Sequence, residues 1–160
     1  MNFSELKGRA VVDTQDAKKV GEVDDLLIEP ATHQTVGLVL KSGLFSHAQI
    51  VPIAHIQRIG PDAVMISQVG SASETEPPQH TTSTVSAILN NKVVTDAGSL
   101  VGSISDVLLD PNTLEITGYA FKPDGLFAKT REFPVSPAVR YGPQLVTVPE
   151  QLINRPGQDT

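Results

Sequence analysis

The sequence predicts an all-β fold made of two small tandem β-barrels joined by a flexible linker. Three observations predict this class. The chain of 160 residues repeats one pattern at a spacing of 81 to 82 positions. Within each copy, short runs rich in β-branched residues alternate with polar turn residues, as in small barrels and strongly curled sheets. Between the copies, residues 68–86 are rich in Ser, Thr, Pro and Glu, which predicts a linker.

The duplication shows in identical residues at matching positions. At a spacing of 81, the first copy's Gly21, Asp25, Leu27, Pro30, Thr32, Gly37 and Lys41 match Gly102, Asp106, Leu108, Pro111, Thr113, Gly118 and Lys122. At a spacing of 82, Leu44, Phe45, Pro52, Arg58, Gly60, Pro61 and Val64 match Leu126, Phe127, Pro134, Arg140, Gly142, Pro143 and Val146. We therefore divide the chain into a first repeat at 1–67, the linker at 68–86, a second repeat at 87–150 and a flexible tail at 151–160.

Each repeat begins with a short strand and a polar turn, and continues with a long strand that stops before Pro30 or Pro111. A residue before proline favours extended or turn geometry, so the chain is expected to reverse there and return as an antiparallel hairpin. Residues 54–60 and 136–142 are expected to form one helical turn each. The predicted strands are 10–12, 20–28, 35–41, 50–53 and 63–67 in the first repeat, and 92–94, 101–109, 116–122, 132–135 and 145–149 in the second.

The long strand carries apolar residues on both of its faces. In the first repeat one face holds Val23, Asp25 and Leu27, and the other includes Leu26 and Ile28. A strand that is apolar on both sides is expected to be covered on both sides. The barrel interior supplies one cover; the other is the end of the same repeat, the sister repeat or a second chain.

Composition excludes several classes of function. The chain has no cysteine, which excludes disulfides, thiolate metal sites and a Cys nucleophile. Its net charge of −6 is spread evenly, with no basic segment, so direct nucleic-acid binding is not expected. No apolar run reaches the roughly 20 residues of a membrane-spanning helix, and the N-terminus does not resemble a signal peptide. The expected location is cytoplasmic.

The order of motifs resembles the PRC-barrel domain, twice over. The first copy reads "KKVGEVDDLLIEP", "VGLVLK" and "IVPIAHIQRIG", and the second reads "LVGSISDVLLDPNT", "ITGYAFK" and "FPVSPAVRYG". The resemblance implies a barrel of about six strands in each copy. The family includes the cytoplasmic part of the photosynthetic reaction-centre H subunit and the C-terminal half of a ribosome-maturation factor, where the domain serves docking or assembly.

Few residues suggest chemistry. A carboxylate on a partly apolar face, such as Asp25 or Asp106, is a candidate acid or base, but without a repeated partner it is expected to accept hydrogen bonds from turn backbone instead. His33, His47, His55 and His80 are expected to be solvated surface residues. No catalytic residue, metal site or cofactor is therefore predicted. The expected structural turn and packing residues are Gly21, Asp25, Pro30, Gly37, Gly102, Asp106, Pro111 and Gly118.

Apolar pairs at Leu44-Phe45 and Leu126-Phe127 stand where polar loops are expected. They either plug the barrel end or pack onto the neighbouring strand, or they form a contact surface between the two barrels, between subunits or with another protein. The sequence thus predicts a non-enzymatic docking or assembly module that binds a protein partner. Its alternatives are a peripheral component of a membrane or photosynthetic electron-transfer complex and an accessory factor in ribosome maturation or RNA processing. Self-association into a homo-oligomer is left open.

Overall fold

Two curled sheets, each built mainly by one repeat, make up the structure. The computed structural model describes residues 1–41, 49–67, 82–125 and 127–153. Strands dominate both repeats, which confirms the predicted all-β class with two tandem units.

The first repeat starts with a helical turn and continues as strands. Its elements are α1 (Phe3–Leu6), β1 (Ala10–Asp13), β2 (Lys18–Glu29), β3 (Gln34–Lys41), β4 (Gln49–Pro52), a 3-10 turn (Ile53–His55), β5 (Ile56–Ile59) and β6 (Ala63–Ile66).

The second repeat has the same order of one helical turn and six strands, without a 3-10 turn among its described residues; a two-residue strand precedes this set and a short helix follows it. These are β7 (Ser83–Thr84), α2 (Val85–Ile88), β8 (Lys92–Thr95), β9 (Leu100–Leu109), β10 (Ile116–Lys122), β11 (Arg131–Pro134), β12 (Arg140–Tyr141), β13 (Leu145–Val148) and α3 (Glu150–Ile153).

Both sheets follow the same path. Among the described residues the first sheet has the order β4-β3-β2-β1-β6-β5, and the second has the order β11-β10-β9-β8-β13-β12. Neighbouring strands are antiparallel except β1 with β6 and β8 with β13, which run parallel. Because these parallel pairs join an early strand to a late one, the two ends of each repeat are held side by side.

The repeated glycines lie where strands approach closely. Gly102 has a φ of +155°, and a Cβ there would overlap the backbone carbonyl of Lys122. A Cβ at Gly21, Gly37 or Gly118 would lie 2.8 to 2.9 Å from a carbonyl oxygen of the facing strand. Any side chain at these positions would force the strands apart, because real Cβ atoms do not approach oxygen this closely.

The two repeats exchange their N-terminal segments. β7 of the second repeat pairs with β2 of the first through Thr84 and Leu27, and Asn2 forms the equivalent bridge to Leu108. In the same way α1 packs against β9, and α2 packs against β2. Each repeat therefore completes the sheet of the other, and the arrangement is reciprocal.

This exchange merges the interiors of both repeats. The buried apolar side chains of the two sheets form one continuous cluster, to which α1 contributes Phe3 and Leu6 and α2 contributes Val85 and Ile88. The sequence left three alternatives for the outer cover of the long strand. The sister repeat is the one that the structure places there.

The structure differs from the sequence-based boundaries and elements at four places. β7 and the start of α2 occupy the end of the expected linker at 68–86, and α3 occupies the start of the expected tail at 151–160. Val85 and Ile153 are 0% and 3% exposed. The composition of a mostly polar segment does not reveal single apolar residues of this kind, so the sequence placed both segments outside the folded repeats. The expected helical turn at 54–60 is mostly strand β5, which pairs with β6, and residues 136–142 contain no helix among the described residues.

Candidate functional site

The repeated aspartates connect the two repeats. Asp25 accepts hydrogen bonds through Oδ1 from the backbone N–H of Leu26 at 2.9 Å and of Ser86 at 3.1 Å. In the opposite direction, Asp106 accepts the backbone N–H of Ser4 at 3.2 Å through Oδ1 and the Ser4 hydroxyl at 2.5 Å through Oδ2.

Each carboxylate thus lies at the first turn of the other repeat's helix. The free N–H groups of a helix start favour a negatively charged acceptor. The sequence placed these hydrogen bonds within the aspartate's own turn. Each carboxylate does accept one local bond at 2.9 Å, Asp25 from the N–H of Leu26 and Asp106 from the N–H of Val107. The bonds from Ser86 and Ser4, in contrast, cross the boundary between the repeats. This geometry occupies the carboxylates with structural bonds, and no second carboxylate or histidine among the described residues bonds to either of them.

A second polar cluster between the repeats is centred on His33. The His33 ring is only 6% exposed. Its Nε2 lies 2.9 Å from the Val139 carbonyl oxygen, and its Nδ1 lies 2.7 Å from the Tyr119 hydroxyl and 2.6 Å from the Tyr141 hydroxyl. A carbonyl only accepts, so Nε2 carries the hydrogen, and Nδ1 of the neutral ring accepts a hydrogen bond from a tyrosine.

Burial determines the protonation of this cluster. It lowers the pKa of His33, although the hydrogen bond to the Val139 carbonyl acts in the opposite direction. Burial also raises the pKa of Tyr141, so this phenol stays protonated. These two shifts favour the uncharged forms of His33 and Tyr141, as a buried contact between two repeats requires.

The expectation of a solvated His33 is wrong. The turn that ends at His33 has a backbone φ of 59° there, and this turn inserts the side chain into the second repeat. The equivalent residue Leu114 has a φ of 61° and is 0% exposed, and its carbonyl accepts the Thr35 hydroxyl at 2.6 Å. A leucine at the matching turn position was the signal in the sequence that this position is buried.

The remaining histidines are His55, His47 and His80. His55 lies in the 3-10 turn, where its Nδ1 is 3.4 Å from the Ser67 carbonyl oxygen. His47 and His80 lie outside the described residues. No group of three or more potential metal ligands is present within the described ranges.

The apolar loop pairs are only partly described. Phe127 is 96% exposed, so within the described structure it packs against little of the core. Leu44, Phe45 and Leu126 lie outside the described residues. The structure thus gives the position of one of the four residues that the sequence proposed for partner contact.

The sequence did not single out two further exposed apolar residues, Leu100 and Leu145. Leu100 is 55% exposed and Leu145 is 45% exposed. Leu100 pairs with Val94, Val94 pairs with Thr147, and Leu145 is two residues before Thr147 in β13. Paired residues and residues two apart share one face of a sheet, so both leucines lie on the outward face of the second sheet.

The outward residues of β8, β9, β12 and β13 are called here the second outer face. Register places them in two rows across the sheet. One row consists of Leu100, Val94, Thr147 and Arg140, and the other of Ser103, Lys92 and Leu145. A shallow groove of ≈ 410 Å³ adjoins this face and is lined in part by Arg140, Leu145 and Thr147.

The same positions in the first repeat have a different character. This first outer face consists of Lys19, Val12, Met65 and Arg58 in one row and Glu22, Ala10 and Ala63 in the other. Lys19 stands in the place of Leu100, and Ala63 in the place of Leu145. Lys19 forms an ion pair of 3.0 Å with Glu22. Comparing the two copies position by position is the sequence signal that finds the second outer face.

The described helices were also compared with the length and hydropathy of a membrane-spanning helix. Among the described helices none has the length and apolar character that crossing a bilayer takes.

Comparison with known proteins identifies the family. A search of curated proteins found none that matches the chain. The family model of the PRC-barrel domain matches twice, over residues 1–72 and 80–151. Domains of this kind are generally non-catalytic modules for protein interaction. The two matches cover most of the chain and coincide with the two repeats, including both exchanged helices. The chain therefore belongs to the PRC-barrel domain family and carries two copies of the domain in tandem.

Proposed function

We propose that this protein is a non-enzymatic docking module that binds a protein partner through the second outer face. The observation that carries the proposal is the pair of exposed leucines, Leu100 and Leu145, on one face of one sheet. Exposed apolar side chains grouped on a sheet face are typical of contact sites. The first repeat has Lys19 and Ala63 at these positions, so the shared fold itself does not need leucine there.

The merged core suits such a role. A docking site is most precise when it lies on a rigid element whose residues are fixed by packing behind them. Behind the second outer face, Val93, Val146 and Val148 are each 0 to 1% exposed. The outward residues of β8 and β13 are therefore held by a packed layer.

The polar groups between the repeats support a role without catalysis. The carboxylates of Asp25 and Asp106 bond to the helix starts, and His33 is enclosed by Val139, Tyr119 and Tyr141. A general acid or base must reach a substrate proton within hydrogen-bond distance. The two carboxylates and the His33 ring instead form hydrogen bonds that join the two repeats.

The test replaces the leucines by the residues of the first repeat. The variant Leu100→Lys/Leu145→Ala is compared with wild type by affinity capture from the native cell followed by mass spectrometry. We expect the variant to lose specific partner proteins while its free energy of unfolding changes by less than about 0.5 kcal/mol, because both side chains are exposed. The matched control is Lys19→Ala/Met65→Ala on the first outer face, which should leave the captured set unchanged.

The outcome that would contradict the proposal is an identical set of partners for wild type and the leucine variant. A separate variant, Phe127→Ser, tests the loop proposed from the sequence. Because Phe127 is 96% exposed, its loss should leave stability unchanged. If partner capture also falls, the loop is part of the contact surface.

A further inference from the structure

The second outer face combines its leucines with two cations, Lys92 and Arg140. Lys92 lies directly beside Leu145, and Arg140 lies directly beside Thr147. The Lys92 Nζ bonds to the Ser103 hydroxyl at 3.3 Å. Among the described residues neither Lys92 nor Arg140 forms an ion pair, and none of the seven residues of this face is acidic.

The positive charge of Lys92 and Arg140 contrasts with the acidic character of the chain as a whole. The protein carries a net charge of −6, and on the first outer face Lys19 is paired with Glu22. The second outer face is thus a cationic and apolar area on an acidic protein. Such an area attracts a partner surface of the opposite sign and disfavours a basic one.

The spacing of the leucines limits the shape of the partner. Leu100 and Leu145 are two strands apart across the sheet and about two residues apart along it. With strands about 4.8 Å apart and a rise of about 3.3 Å per residue, their Cα atoms are roughly 12 Å apart. Residues i and i+7 or i+8 of a helix are about 10 to 12 Å apart on one side. An amphipathic helix of three turns can therefore contact both leucines.

The number of cations on the second outer face indicates whether its partner is a protein or a lipid surface. Binding to anionic lipid takes a cluster of about four to eight Lys or Arg residues, and this face has two in a chain of net charge −6. Two cations are enough to pair with two carboxylates beside an apolar stripe. The face thus favours a protein segment over a lipid surface.

From these observations, and resting on the proposed function above, we infer that the partner presents an acidic amphipathic helix. Its apolar residues contact Leu100 and Leu145, and its carboxylates pair with Lys92 and Arg140.

The test uses two synthetic helical peptides of 16 residues as probes. Both have leucines at i, i+4, i+7 and i+8; one has Glu and the other Lys at the flanking positions. Binding to the full chain is measured by calorimetry at low and high salt, and the site by amide chemical shifts in NMR. We expect the Glu peptide to bind roughly 2- to 30-fold more tightly than the Lys peptide, the range for two exposed ion pairs. Its affinity should fall as salt rises, with shifts in β8, β9 and β13.

Charge reversal supplies the matched control. In Lys92→Glu/Arg140→Glu the preference should invert in favour of the Lys peptide. Equal binding of both peptides, shifts confined to other elements, or binding of vesicles with anionic lipid in place of the Glu peptide would overturn the inference. The proposed function is judged separately: if the leucine variant still loses cellular partners while the peptides show no preference, docking stands and the acidic partner does not.

Discussion

A substitution inside the first repeat should destabilise the second repeat by the same amount. Ile66 is 0% exposed and pairs only with first-repeat strands, through Asp13 and Ile56. Replacing such a residue by alanine costs about 2–5 kcal/mol. If the merged core makes the chain one cooperative unit, Ile66→Ala lowers the free energy of unfolding of both repeats by this amount.

Tyrosine fluorescence can measure the unfolding of the second repeat separately. The chain has no tryptophan, and its two tyrosines, Tyr119 and Tyr141, both lie in the second repeat. Urea unfolding followed by tyrosine fluorescence therefore reports on the repeat that does not contain Ile66. With an m-value of about 2 kcal/mol/M, the tyrosine midpoint should fall by roughly 1 to 2.5 M. Far-UV circular dichroism should give the same midpoint.

The control is Met65→Ala, which truncates the neighbouring outward residue and should shift the midpoint by less than about 0.5 M, since outward side chains contribute little. The reasoning is refuted if Ile66→Ala produces two transitions, an early one seen only by circular dichroism and a tyrosine transition at the wild-type midpoint. The repeats would then unfold independently despite their shared core.

Three further predictions concern two sets of contacts between the repeats and one close approach of two strands within the second repeat. Asp25→Ala should cost about 1–3 kcal/mol in urea unfolding because a partly buried N–H loses its acceptor, whereas Asp106→Ala should cost about 1 kcal/mol, as for an exposed helix cap. Because burial lowers the pKa of His33, the unfolded state binds more protons, so stability should fall as pH drops from about 7 to 5 by up to about 1.4 kcal/mol per unit, and His33→Leu should flatten this slope. Gly102→Ala should cost about 1–3 kcal/mol, seen as a drop in Tm of roughly 2–12 °C, because its Cβ meets the Lys122 carbonyl.

Each of these has a contrary outcome. Equal and negligible costs for both aspartate variants would show that the bonds across the repeats do not stabilise the fold. An unchanged pH slope in His33→Leu would place the titrating group elsewhere. A fully stable Gly102→Ala would mean that the facing strands move apart freely.

The sequence predicted the features that depend on local pattern. Duplication and alternation located most strands, and proline placed the turns at Pro30 and Pro111. The exchange of N-terminal segments could not be predicted, because the pairing of Asn2 with Leu108 depends on a choice between two nearly equal partners, the long strand of its own repeat and that of the sister repeat. Local pattern is the same for both choices, and only the packing of the whole chain decides between them.

The candidate site was missed for a related reason. A single exposed leucine such as Leu100 looks ordinary in sequence, since surfaces contain many apolar residues. It becomes informative only when register brings it beside Leu145, and when the first repeat shows Lys19 in its place. Likewise, His33 looks like a turn residue until the sister repeat closes around it.

The reciprocal exchange has a consequence for how the chain folds while it is being synthesised. Ser4 leaves the ribosome before its partner Asp106, which follows 102 residues later. At about 5–20 residues per second, the N-terminal helix waits roughly 5 to 20 s for the strand on which it docks. During that interval Phe3 and Leu6 have no sister repeat to cover them. The nascent first repeat is thus the stage at which this protein most needs protection from aggregation.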